Sequence, residues 1–162
     1  MPIFREYPMQ YETHEQHIIT QAIGLLAREL QARTVVITEP DAARNYLRLQ
    51  LERQQREVFM VMYLDTQHRL IASETVFTGT LASVTVHPRE IVKQALAYNA
   101  GAVILAHNHP SGMAEPSQAD RLITGTLITA LALIEVRVLD HLVIGHGEVV
   151  SFAERGWLNA PH

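Results

Sequence analysis

Val103-Ile104-Leu105-Ala106-His107-Asn108-His109-Pro110-Ser111-Gly112, running on to Pro116-Ser117-Gln118-Ala119-Asp120, is the stretch that decides the fold. Val103 to Ala106 is an apolar run of strand length, rich in branched side chains, which predicts a buried strand. Side chains alternate across an extended backbone, so His107 and His109 project from one face. Two neutral imidazoles side by side at a strand's end are a natural half of a metal site. Pro110 and the Ser111-Gly112 pair then force a loop. Ser117-Gln118-Ala119-Asp120, a serine with an acidic residue three positions on, has the spacing of a helix N-terminus. Read alone, that spacing is a capping box without chemistry. Read with the histidines, Asp120 in the first helical turn turns back toward them as a third ligand. Three protein ligands and one open position form the pattern of a catalytic zinc, not of a closed structural one.

His107-x-His109, seven intervening residues, Ser117, two more and Asp120 resemble the signature of JAMM (MPN-type) metalloproteins. The surrounding AHNHPSG and PSQAD are similar to the RadC-like bacterial branch of that family, as are REVFMVMYLD, FTGTLASVTVHPREIVKQAL and LDHLVIG. The resemblance covers about residues 40–158, most of the chain. It implies an α/β fold: a three-layer-like sandwich with a mixed β-sheet and helices on its faces, related to the cytidine deaminase fold. It also implies Zn2+ as the cofactor, held by His107, His109 and Asp120.

A zinc hydrolase needs a base to take a proton from the attacking water. JAMM enzymes use a glutamate well upstream of the histidines, at the start of an early core strand. Glu57, directly before the apolar run Val58 to Leu64, matches that position. Glu74, within Ser73-Glu74-Thr75 of the next strand, is its rival, and a solvated surface charge is the bland reading of either. Ser117 has two compatible roles. Its hydroxyl caps the helix, and the resemblance implies that it steadies the water or the tetrahedral oxyanion. Asn108 stands where the eukaryotic JAMM enzymes carry Ser or Thr, a departure that matches the RadC branch. In an extended backbone it points away from the metal, toward a hydrogen bond with a loop. Asp140-His141 reads as support for the site or, preferred, as a satisfied structural contact. Trp157 reads as a core plug.

With 162 residues, 48% of them apolar and 19% charged, the composition is that of a soluble globular chain with one sizeable core. The formal net charge of −4 and the lack of a Lys/Arg run argue against direct nucleic-acid binding. Cysteine is absent, which excludes disulfides and thiolate ligands and leaves histidine and carboxylate. No apolar stretch is long enough to span a bilayer, and the opening residues lack the apolar core of a signal peptide. A cytoplasmic location is the expectation.

Taken in order, the first dozen residues read as an arm, and apolar spacing predicts a helix from His14 to Gln31. Thr34 to Ile37 is a short β-branched run, and Thr38-Glu39-Pro40-Asp41 opens a helix expected to reach Gln55. Strands are expected over Val58 to Leu64 and Leu70 to Phe77, with irregular extended structure from Gly79 to Val86. A helix from Pro88, the strand into the histidines and the helix from Ser117 follow. Val136 to Ile144 is one long strand or two short ones, and Gly145-His146-Gly147 turns into a hairpin. Residues 1–38 are set apart as an N-terminal arm and helix that pack on the domain or mediate self-association, and 39–162 as the metal-binding domain. No paired Gly-x-Gly hairpin of the kind that holds DNA phosphates precedes that domain.

The expected function is that of a zinc-dependent metallohydrolase, a JAMM-type metallopeptidase or isopeptidase in which metal-bound water attacks an amide carbonyl. Its partner is a peptide or protein substrate. The alternative is a zinc-binding, non-catalytic module associated with DNA repair or mobile genetic elements. A deaminase is a third reading, against which the His-x-Glu…Pro-Cys-x-x-Cys signature is absent.

Overall fold

The computed structural model describes residues 11–32, 40–79 and 86–159. Most of the expected N-terminal arm, the Thr34 to Ile37 run and most of the extended stretch after Gly79 lie outside the described residues. In chain order the elements are α1 (Thr13–Ala32), α2 (Pro40–Leu51), β1 (Glu57–Leu64), β2 (Leu70–Gly79), α3 (Pro88–Ala97), β3 (Ala102–Asn108), α4 (Gln118–Ala132), β4 (Arg137–Ile144) and β5 (Val149–Ser151).

The strands form a mixed sheet in the order β2-β1-β3-β4-β5. Only the β3–β4 pair is parallel, with α4 as its crossover; β2, β1, β3 and the β4–β5 hairpin pair antiparallel. Both faces of the sheet are covered, which is why β1 and β3 read as unbroken apolar runs. Met60, Met62, Leu64, Ile104 and Ala106 pack on one face against Leu30 of α1 and Leu47 and Leu51 of α2. Phe59, Val61, Tyr63, Val103 and Leu105 pack on the other against Ile91 and Ala95 of α3 and Leu127 and Leu131 of α4. The architecture is the expected α/β sandwich, helices on either side of a mixed sheet.

One boundary differs from expectation. Helix α2 stops at Leu51, four residues short of Gln55. No proline or glycine causes this. The Asn108 side chain takes up the following segment, donating from Nδ2 to the carbonyls of Gln54 (3.4 Å) and Arg56 (3.0 Å). Strand β4 is the one long strand of the two expected alternatives, and it carries a bulge. Val138 pairs with Val103 and Asp140 with Ile104, so Leu139 has no partner on β3. The extra residue resets the alternation, and His141 and Val143 come opposite Leu105 and His107 on the α4 side of the sheet.

Candidate metal centre

Strand β3 carries His107 at its end and His109 just beyond it, on the face that α4 covers. His107 is fully buried and the His109 side chain is 15% exposed. Their Nε2 atoms lie 3.1 Å apart. The Asp120 carboxylate completes the triangle, Oδ1 3.2 Å from His107 Nε2 and Oδ2 3.1 Å from His109 Nε2. It is placed by the start of α4, where a reciprocal capping box forms. The Asp120 amide donates to the Ser117 hydroxyl at 3.0 Å, and the Ser117 amide donates to Asp120 Oδ2 at 2.8 Å. Glu57 enters from β1. Phe59 pairs with His107, so Glu57, two residues earlier, shares its face. One donor atom from each of Glu57, His107 and His109 lies within 4.8 Å of the other two, a spacing that suits a metal ion.

The donor set passes an elementary fit test. Ligand atoms about 2.0–2.1 Å from a tetrahedral zinc stand roughly 3.3–3.4 Å from one another. The two Nε2 atoms are 3.1 Å apart, and Asp120 faces them with separate oxygens, Oδ1 3.2 Å from His107 and Oδ2 3.1 Å from His109. Imidazole with carboxylate suits zinc and its divalent neighbours.

In comparison with known proteins, residues 37–157 match the RadC-like JAB domain. The chain belongs to that family. A UPF0758 protein of Leptothrix cholodnii is 63% identical over 142 residues, which is 85% of this chain and 64% of that protein. The chain therefore spans a little under two thirds of the length of that curated relative.

In this RadC-like JAB domain, burial works to raise the Asp120 pKa, but the bonds to His107, His109 and the Ser117 amide hold it well below the usual carboxylate range. Burial works to lower His109, and is outweighed by Asp120 and by the Met113 carbonyl. That carbonyl accepts from His109 Nδ1 at 2.8 Å, leaving Nε2 for the metal side. The loop over residues 110–116 is pinned from the opposite side. The His146 amide donates to the Gly112 carbonyl at 2.8 Å, and the Ala114 amide to Glu148 Oε1 at 2.8 Å. Gly145 makes this approach possible, since a Cβ there would stand 2.5 Å from the Gly112 oxygen.

Glu74 is elsewhere. It pairs with Val61, further along β1, and its carboxylate accepts from the Tyr98 hydroxyl. Asn108 faces away from the histidines and bonds the chain on both sides of Glu57, its Oδ1 accepting from the Val58 amide at 2.7 Å. The Asp140-His141 pair, read as a structural contact, is divided. Asp140 accepts from the His141 and Ala153 amides and from the Ser151 hydroxyl. The His141 ring instead lies 2.8 Å from His107 Nδ1, and Thr124 Oγ1 lies 2.6 Å from its other nitrogen. No local signal in the sequence marks that contact, because the unpaired Leu139 decides which way His141 points. Trp157 caps the β4–β5 end edge-on to Phe152, with the Arg121 guanidinium 3.9 Å over its ring.

Proposed function

We propose that this RadC-like JAB domain is a zinc-dependent metallohydrolase cleaving an amide or isopeptide bond of a peptide or protein. His107, His109 and Asp120 are the metal ligands, Glu57 the general base and Ser117 the oxyanion donor. One observation carries the reading: two histidine Nε2 atoms at zinc-ligand spacing face the Asp120 carboxylate, with a carboxylate from a different strand beside them. With three ligands and an open position, that extra carboxylate is free to serve as a base; as a fourth ligand it would instead close the site.

Zinc, when bound, would supply a Lewis acid that makes water acidic near neutral pH and polarises a carbonyl. The residues supply the rest. Asp120, kept ionised by its hydrogen bonds, offsets the positive charge. Glu57 takes the proton of the attacking water and returns it to the leaving amine. The Ser117 oxygen accepts the Asp120 amide and so keeps its own proton for donation to a developing oxyanion.

The test is metal content in the wild type, Glu57→Ala, His109→Ala and Asp120→Ala, followed by peptide hydrolysis. The expected pattern is about one zinc in wild type and Glu57→Ala, little in the other two, and hydrolysis lowered by about 10²–10⁴-fold in Glu57→Ala. A wild type without zinc ends the proposal. If Glu57→Ala loses zinc and Asp120→Ala keeps it, Glu57 is the third ligand, the grouping its own proximity to the histidines favours. Stoichiometric zinc with no hydrolysis in any substrate library returns the chain to the non-catalytic module.

A further inference from the structure

We propose that the groove between α4 and the segment after β5 holds the substrate as an extended peptide with an acidic side chain among apolar ones, its carboxylate taken by Arg121. The inference rests on the hydrolase reading above and names a substrate class for it.

The groove is a cavity of about 670 Å³. Gln118 stands at one end, next to the Ser117 whose cap places Asp120, and Ile128 stands toward the other. That length of helix rises about 15 Å, the span of roughly four or five residues of extended chain. A peptide lying in the groove therefore has one end beside the proposed oxyanion donor. The surface it meets is apolar: Leu122, 73% exposed, then Ile128, Phe152 and Trp157. Gly125 lies among them on the helix, where a Cβ would meet nothing within 4 Å. The missing side chain leaves the middle of the groove open.

The charge is set by two arginines on one indole. Arg155 lies 4.9 Å from the Trp157 ring and is already bonded through both terminal nitrogens to Glu115 at 2.8 Å. Arg121 lies 3.9 Å over the same ring and bonds no carboxylate among the described residues. Stacking occupies the face of a guanidinium and leaves the N–H fork in its plane available. A fork held in this way is preorganised for a carboxylate, which it meets with two parallel hydrogen bonds. The indole is fixed as well, edge-on to Phe152 at 5.3 Å, and the Arg155–Glu115 pair ties the turn after β5 to the loop before α4. A nucleic acid asks for a row of cations, and the chain carries a net charge of −4. A peptide carboxylate asks for one.

The experiment is fluorescence anisotropy of a short labelled peptide with one glutamate between leucines, beside the same peptide with glutamine or lysine there. It is run on the protein as purified and again after chelator treatment, so that binding is read apart from cleavage. The glutamate peptide is expected to bind wild type about tenfold tighter than the lysine peptide, or better. Arg121→Gln should erase that preference and Arg121→Glu reverse it. Gly125→Met sends a side chain into the open space and should lose all three peptides while the thermal transition stays near wild type. No binding to wild type, equal affinity for the glutamate and lysine peptides, or a Gly125→Met protein that binds as wild type does overturns the groove. So does a wild-type dimer in sedimentation that Gly125→Met splits, which would make this face a contact between two copies. The two readings fail separately. Binding with the expected preference in a protein without zinc or hydrolysis keeps the groove and sinks the hydrolase. Zinc and hydrolysis indifferent to the acidic residue keep the hydrolase and sink the groove.

Discussion

Asn108 stands between the two histidines and yet serves the opposite side of the sheet. Its amide holds the Gln54 and Arg56 carbonyls and receives the Val58 amide, so it fixes the segment that delivers Glu57. Asn108→Ala strands a buried amide and is expected to cost about 1–3 kcal/mol in urea denaturation. On the proposed assignment, zinc content should stay near wild type while hydrolysis falls, because Glu57 loses its anchor and the proposed ligands do not. Equal loss of zinc would refute that division. Asp120 makes a pH prediction. Its folded value lies below the ordinary 3.8, so its ionised form stabilises the fold above that pH, and the stabilisation is lost as pH falls through the folded value. In metal-free protein, urea midpoints for wild type and Asp120→Asn should therefore converge on acidification below 3.8. A gap that stays constant to the lowest pH measured would contradict this.

Elements reach the site through the contacts their ends make. Gly145, in the β4–β5 turn, lets the 110–116 loop lie close enough for Met113 to bond His109. Gly145→Ala should push the loop away and lower zinc affinity. Gly147→Ala, two residues on with φ +80° and open space around a Cβ, should cost about 1–2 kcal/mol of backbone strain and leave zinc affinity alone. Calorimetric zinc titration of the pair separates loop placement from general strain. What was legible in the sequence divides along the same line. β1 and β3 announce themselves by runs of consecutive apolar residues, and the Ser117–Asp120 cap by spacing within one turn. The end of α2 is set by Asn108, more than fifty residues away, and the direction of His141 by a bulge visible only in the pairing with β3. Neither has a local pattern to read. The resemblance already favoured Glu57 over Glu74, and the β1–β3 register puts Glu57 on the His107 face.

At the scale of the whole molecule the sheet is a wall. The histidines, Asp120, Thr124 and His141 lie with α4 on one side, and α1 and α2 pack on the other. No helix among the described residues is long and apolar enough to cross a membrane. Damage on the α1 side should stay there. Leu30→Ala, in a fully buried position, is expected to cost about 2–5 kcal/mol of stability and leave zinc affinity within twofold when measured well below its melting temperature. A proportionate fall in affinity would show that the wall transmits strain. The same wall makes the N-terminal layer exchangeable hardware. A different helical segment joined ahead of Arg56 leaves the candidate site supported if it offers Asn108 the carbonyl that Gln54 now gives and covers the Met60–Met62 face. Asn108 is then a socket: it accepts any plug with the right backbone, whatever side chains that plug carries.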